Sequence, residues 1–177
     1  SSNYRVGTST VKNTSVFVYG NEFLRAVSAG TELAMTRSLS YKGDKAPEEA
    51  ATEFYTDGAI AVAADLQSET YYFGDVRGDE IAWYAYNMRL GTTSVRNVSV
   101  YYYNDLTANQ AGVTTETAMN MSKTYKTDAF SKIADISSDT PNLQSVTYYQ
   151  GEKGDEVSDY SSNYRVGTST VKNTSVF

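Results

Sequence analysis

The sequence predicts a mainly β protein, an antiparallel β-sandwich of the jelly-roll or Greek-key type that carries two short helices. Three observations lead to this fold class. The 177-residue chain contains 16 Tyr but only 2 Pro, and aromatic and β-branched residues favour pleated, half-buried surfaces. Short segments with alternating apolar residues recur along the chain, and turn residues separate them. The length also suffices for one domain with its own hydrophobic core.

The predicted strands follow one another along the whole chain. The first extended segment, 4–19, has no cleanly apolar face, so we expect either a break near Lys12-Asn13 or a strand with both faces partly covered, and then a turn at Gly20-Asn21. Further strands are predicted where apolar residues alternate or aromatic residues cluster, at 23–29, 31–41, 60–66, 70–73, 81–90, 95–103, 113–121 and 146–150. Many short strands with turns between them are typical of a sandwich.

Two segments carry helix signals. Residues 46–58, APEEAATEFYTDG, place Pro47 at the first helical position and acidic residues near the positive end of the helix dipole. The second predicted helix is 128–136, which Thr127 or Asp128 would cap. We expect both helices to lie on the outside of the strands.

The chain begins and ends with the same segment. Residues 1–17, SSNYRVGTSTVKNTSVF, recur without a substitution as residues 161–177, at an offset of 160 residues. Repetition at a fixed offset is the signature of arrays. The sequence therefore divides into a linking or donor-strand segment at 1–17, a β-sandwich domain at 18–160, and a second copy of the first segment at 161–177.

Three interpretations of this duplication are open. The chain is one unit of a tandem array, or the segment is a strand that completes a neighbour's sheet, or the second copy has no physical role. The first two both predict head-to-tail assembly of the chain with itself, because a paired edge strand gains backbone hydrogen bonds and buries alternate side chains. The predicted assembly strand uses the apolar residues of both copies: Tyr4, Val6, Val11, Val16, Phe17, Tyr164, Val166, Val171, Val176 and Phe177.

Composition narrows the function classes. The net charge is −6 with a pI near 4.7, which disfavours a nucleic-acid partner, and no apolar run approaches the roughly 20 residues of a transmembrane helix. The chain has no Cys and no His, which removes thiolate nucleophiles, His-based catalysis and the usual ligands of zinc. We therefore predict a non-enzymatic protein without a cofactor. The first residue is not Met, so we expect a mature form or an excised piece.

Two acidic loops are candidate sites. Arg77-Gly78-Asp79 resembles the cell-attachment tripeptide and lies in a predicted loop, although these residues also simply make a good turn. Asp75, Asp79 and Glu80 in the same loop could bind Ca²⁺ through oxygen ligands, and so could Asp155, Glu156 and Asp159 beside the repeat junction. Neither loop has the spacing of an EF-hand, and solvated carboxylates are the simpler interpretation. N-x-Ser sequences at Asn13, Asn97 and Asn120 are candidate glycosylation acceptors, and Asn173 repeats the first of them in the second copy.

The sequence favours a structural subunit or repeat module of an extracellular filament or a long surface adhesin. An acidic chain that is rich in Tyr, Ser and Thr is consistent with that location. At the level of architecture, end-to-end β units of this kind resemble donor-strand pilus subunits and the β-sandwich repeats of giant bacterial adhesins. The alternative is an extracellular module that binds a carbohydrate or another cell-surface ligand, through its Tyr- and Trp-rich strands or through a Ca²⁺ loop.

Overall fold

The computed structural model describes residues 1–46, 55–56, 59–60, 64–133 and 142–177. Within this part of the chain the backbone is almost entirely extended. The strands are β1 (Ser2–Tyr4), β2 (Val11–Tyr19), β3 (Leu24–Arg25), β4 (Met35–Lys42), β5 (Tyr55–Thr56), β6 (Ala59–Ile60), β7 (Leu66–Phe73), β8 (Ile81–Met88), β9 (Val95–Tyr103), β10 (Leu106–Thr107), β11 (Met119–Tyr125), β12 (Leu143–Gln150), β13 (Val157–Tyr164) and β14 (Val171–Val176).

Twelve of these strands form one open antiparallel sheet. The sheet order β1-β2-β4-β7-β8-β9-β11-β12-β13-β14 follows the chain, β3 and β10 add short pairings to β2 and β9, and β5 pairs with β6 separately. The prediction of a mainly β fold is confirmed. The sandwich with jelly-roll or Greek-key crossings is not confirmed, because successive long strands pair as neighbours by way of hairpins and loops instead of crossing to a second sheet.

The main hydrophobic core lies on one face of this sheet. Residues that pair directly across strands share a face, and one such row crosses seven strands through Val16, Leu39, Glu69, Tyr86, Val98, Tyr125 and Leu143. All seven side chains are buried. Phe130 and Ile133, which follow β11, pack against the same core. In the described residues no helix is long and apolar enough to cross a membrane.

Several predicted strand limits are wrong, for local reasons. The break in 4–19 lies at Arg5–Thr10 and not at Lys12-Asn13, because Gly7 takes a left-handed conformation (φ 76°) and closes a hairpin there. The segment 113–121 becomes a strand only at Met119. Before it, the Thr117 hydroxyl oxygen accepts a hydrogen bond from the Thr114 amide (3.0 Å) and holds a turn.

Neither predicted helix is confirmed in the part of the chain that the structure describes. Residues 46–58 lie mostly outside the described residues, and the described part contains β5. The segment predicted as the helix 128–136 has a single 3₁₀ turn, Phe130–Lys132, within its described part. Ala129 before that turn is extended (φ −148°, ψ 139°), and no side chain caps it, so a helix cannot begin at Asp128 and continue.

Candidate functional site

The two copies of the duplicated segment occupy the two ends of the sheet and form the same hairpin. In the first copy, β1 pairs with β2 through Ser2–Thr14, Asn3–Asn13 and Tyr4–Val11. In the second copy, β13 pairs with β14 through Ser162–Thr174, Asn163–Asn173 and Tyr164–Val171. Each pair in the second list lies 160 residues after its counterpart in the first. Identical sequence therefore gives identical strand register at both edges.

The turn of this hairpin explains why the segment folds alike in both places. The Arg5 amide donates to the Thr10 carbonyl (3.0 Å) and the Thr8 amide to the Arg5 carbonyl (3.1 Å), with Gly7 at φ 76°. The second copy repeats both bonds at Arg165, Thr170 and Thr168, with Gly167 at φ 88°. A glycine adopts this conformation without steric cost, so the turn is fixed by local sequence.

Strand β13 runs through the junction between residues 160 and 161. Its first half, Val157–Tyr160, belongs to the unique part of the chain, and its second half is the start of the repeated segment. The neighbouring β12 pairs with both halves, from Gln150–Val157 to Ser145–Asn163. The second copy is thus a continuation of the sheet and not a separate strand attached by a linker.

The same side chains are buried in one copy and exposed in the other. Val16 is 3% exposed because β4 covers the outer side of β2, whereas the equivalent Val176 is 78% exposed on the open edge of β14. Thr14 is buried and Thr174 is exposed. The predicted assembly residues accordingly divide: Val16 is buried, Val11 and Tyr164 are partly buried, and the exposed ones are Tyr4, Val6, Phe17, Val166, Val171, Val176 and Phe177.

A second, weaker level of repetition lies within the 160-residue unit, and sequence inspection missed it. Residues 78–101 and 154–177 align without a gap and are identical at 12 of 24 positions. LQSETYYF at 66–73 recurs as LQSVTYYQ at 143–150, with 6 of 8 positions identical, and 31–44 matches 115–128 at 8 of 14 positions. The offsets are 76 residues for the first match, 77 for the second and 84 for the third, and 84 and 76 together make the 160-residue offset. The repeated letters GDE and R-x-GT were the signal that could have revealed it.

The strand pairings obey this half-unit repeat. The β8–β9 pairs Tyr84–Val100, Asn87–Asn97 and Met88–Val95 correspond to the β13–β14 pairs Tyr160–Val176, Asn163–Asn173 and Tyr164–Val171. The β2–β4 pairing from Thr14–Tyr41 to Tyr19–Met35 corresponds to the β9–β11 pairing from Val98–Tyr125 to Tyr103–Met119. Strands β2, β9 and β14 are therefore three copies of one strand, and the outer edge is covered only in the first two.

The two acidic loops are also copies of each other and have a structural role. In the first, Glu80 accepts hydrogen bonds from the Gly78 amide (2.8 Å) and the Met35 amide (2.7 Å). In the second, Glu156 accepts from the Gly154 amide (2.9 Å) and the Met119 amide (3.1 Å). Each carboxylate thus links its turn by a hydrogen bond to the first residue of a strand, which is β4 for the first loop and β11 for the second.

We expect the hydrogen bonds that Glu156 accepts in the second loop to make the stability of the chain depend on pH. Burial raises the pKa of Glu156, but hydrogen bonds from Met119 and Gly154 and the nearby Lys153 ammonium outweigh it, so the pKa lies below its ordinary value. A carboxylate whose pKa is lower in the folded chain stabilises the fold above its unfolded pKa, and the contribution disappears as the pH falls through the folded value. Glu156→Gln should remove this acid-dependent part of stability, measured by urea unfolding at pH 7 and pH 3. An equal loss on acidification in parent and variant would contradict the assignment.

The adhesion loop Arg77-Gly78-Asp79 and the metal site at the second acidic loop stay predictions. Arg77 donates from Nη1 to the Thr31 carbonyl (2.9 Å), while Gly78 and Asp79 belong to the turn that Glu80 ties down. The second loop carries Lys153 in the place of Arg77. Within the described residues no three acidic side chains come together closely enough to hold a metal ion, so Asp155, Glu156 and Asp159 do not converge.

The three candidate glycosylation acceptors differ in access. Asn97 is buried in the sheet face, where its amide accepts from Asn87 (2.8 Å) and donates to Gln144 (3.3 Å). Asn13 accepts from Asn3 (2.7 Å), and the Asn120 amide donates to Asp105 (2.9 Å). A glycan on Asn97 would displace the bonds that this side chain makes across three strands.

Part of the second face of the sheet is polar, and this part repeats as well. One row of directly paired residues reads Ser15, Ser40, Ser68, Asn87 and Asn97, and its half-unit copy reads Ser99, Thr124, Ser145, Asn163 and Asn173. A groove on this face is lined by amide, hydroxyl and guanidinium groups, including Gln67, Asn87, Arg89, Arg96, Asn97 and Gln144. In the Tyr- and Trp-rich strands β8 and β9, Trp83 packs against Tyr84 and Phe130 with ring centroids 5.1 and 5.3 Å apart, Tyr102 and Tyr103 are buried, and Tyr101 is partly buried.

Comparisons with protein-family models, with curated proteins and with solved structures find no match to this chain. Any functional assignment therefore depends on the geometry of the sheet and of its two edges.

Proposed function

We propose that this protein is a structural module of an extracellular filament or long surface protein, in which the 160-residue unit repeats head to tail and successive units share one continuous antiparallel sheet. The observation that carries the proposal is the pair of identical hairpins on opposite edges of the sheet. Placing the first hairpin of one unit on the second hairpin of the previous unit continues the sheet with no change of register.

The two edges supply complementary halves of such a junction. The open edge of β14 is equivalent to the edge of β2 that pairs with β4. The open edge of β1 is equivalent to the edge of β13 that pairs with β12. Superposing the two hairpins would place β4 of the next unit beside β14, bury Val176 as Val16 is buried, and remove two open edges, which otherwise invite uncontrolled pairing. Stability would then come from each unit and from its interface with the next one, as in other repeat proteins.

Of the two assembly routes, covalent tandem repetition has the stronger support. Strand β13 passes through the junction without interruption, and no flexible Gly/Ser linker separates the unit from the second copy. Composition alone supports the extracellular location: the chain is acidic, rich in Tyr, Ser and Thr, and without Cys or His.

Solution X-ray scattering of chains with one, two and three 160-residue periods, each ending with residues 161–177, tests the proposal. Each period adds the eight path strands from β2 to β13, and strands lie about 4.8 Å apart, so the maximum dimension should increase by one constant step of at most about 38 Å. Growth that falls with each added period would indicate units joined by flexible links and would contradict a continuous sheet. In the native source, the protein should be found at the cell surface, and its denatured chain should have the mass of many units.

A glycan-binding module is the second candidate, and the polar groove is the observation that favours it. Amide and guanidinium groups hydrogen-bond sugar hydroxyls and acidic substituents, and Arg89 and Arg96 are exposed at its rim. A glycan that binds the parent but not the Arg89→Ala/Arg96→Ala variant, together with multi-period chains that do not extend, would favour this function.

A further inference from the structure

We propose that chains of this protein also join non-covalently, by an exchange in which residues 161–177 of one chain replace residues 1–17 of another. The interaction surface is the edge of β4 that β2 covers, and the partner is a second copy of this chain. This inference rests on the proposed function, because two separate chains would meet at the same junction as two successive units of one chain.

The incoming segment fits because it has the same sequence as the segment it replaces. In the site on β4, Val16 is buried, and the Thr14 hydroxyl donates to the Gly43 carbonyl (2.9 Å) and accepts from the Lys45 amide (3.2 Å). Val176 and Thr174 bring the same groups on a hairpin of the same register. Phe177 would lie where Phe17 lies, beside Val18 of the receiving chain.

The exchange exposes little, because one copy of the segment takes the place of an identical one. The pairing that residues 11–17 lose on β4 is made again by the equivalent residues of the incoming copy, so the net loss is the pairing of β1, a strand of three exposed residues. The incoming hairpin brings β13, with eight residues, already paired with β12 on its other side. Domain swapping of identical elements is a low-cost route to assembly for this reason.

The resident copy competes because it is covalently attached. A tethered segment acts at an effective concentration in the millimolar range, so the parent chain should remain largely closed on itself at micromolar concentration. Weakening the resident copy alone should therefore reveal the exchange, since the second copy remains intact and can be supplied by another chain.

The test uses the full chain with Val16→Asp, with Val176→Asp as the matched control. In sedimentation velocity, the Val16→Asp chain should form a concentration-dependent series of multiples of 19.4 kDa, while its circular dichroism keeps the β signal. The Val176→Asp chain and the double variant should both stay at the monomer mass, because neither offers an intact second copy.

Three results would overturn the exchange. The first is a Val16→Asp chain that is folded but monomeric at every concentration. The second is a Val16→Asp chain that is unfolded even at high concentration, because the intact second copy should restore the sheet. The third is a double variant that assembles as far as Val16→Asp does, which would indicate non-specific aggregation. None of these results bears on the scattering of covalent multi-period chains, so the two proposals can fail separately.

Discussion

Val16→Asp should destabilise the 177-residue chain by about 3–5 kcal/mol, the cost of leaving an uncompensated charge in a protein interior. Val16 is 3% exposed and belongs to the main core on the inner side of β2. Urea unfolding at low protein concentration, where exchange between chains does not contribute, measures the loss. The effect should appear as a lower midpoint with an unchanged denaturant slope.

Val176→Asp is the matched control, since it makes the same substitution in the same local sequence. Val176 lies on the open edge of β14, and surface substitutions usually change stability by no more than about 0.5 kcal/mol. Equal losses in the two variants would contradict the placement of one copy inside the sheet and the other at its edge.

The second large effect is expected at the buried ion pair of the first half-unit. Arg37 Nη1 lies 3.1 Å from Glu69 Oε1, and the two side chains are 8% and 0% exposed. The Arg37 guanidinium also lies over the rings of Phe23 (3.9 Å) and Tyr71 (4.5 Å). Glu69→Val alone should cost about 3–5 kcal/mol, because the guanidinium loses a buried countercharge.

The second half-unit supplies the control for this prediction. The positions equivalent to Arg37 and Glu69 are Met121 and Val146, which are both buried in the same core. Replacing a buried ion pair by apolar residues of similar size is often neutral or stabilising. Arg37→Met/Glu69→Val should therefore recover stability to within about 1 kcal/mol of the parent. A double variant as unstable as Glu69→Val would contradict this expectation and show that neighbouring groups depend on the ion pair.

The β character could be predicted from sequence because alternation is a local property. In β4 the buried residues Arg37, Leu39 and Tyr41 alternate with the partly exposed Ser38 and Ser40. The helix 128–136 was predicted because Thr127 and Asp128 are good capping residues, whereas the extended conformation of Ala129, which leaves only a 3₁₀ turn in the described part, has no clear signal in the sequence. Strand order was not predictable, since it depends on which hairpins close.

The candidate site was found in part. An exact 17-residue duplication is visible by eye, and it identified both edges of the sheet. The half-unit repeat was missed because equivalent positions carry different side chains where their surroundings differ. Tyr86 is buried in the core between β7 and β9, but its counterpart Ser162 lies next to the open edge. The residues that hold the turns, such as Gly91 and Glu80, are the ones that recur.

Amide hydrogen exchange at the junction tests the continuous sheet most directly. Ser15 and Ser1 exchange backbone hydrogen bonds, and the Phe177 amide donates to the Asp159 carbonyl. Because amide directions alternate along a strand, the amides of Thr14 and Val16 point towards β4, and those of Thr174 and Val176 point outwards from the sheet edge.

In the 177-residue chain, Thr14 and Val16 should be protected while Thr174 and Val176 exchange rapidly. When a further unit, with the sequence of residues 18–160, is joined after Phe177, all four amides should be protected to a similar degree. Rapid exchange of Thr174 and Val176 in the longer chain would contradict a sheet that continues from one unit to the next.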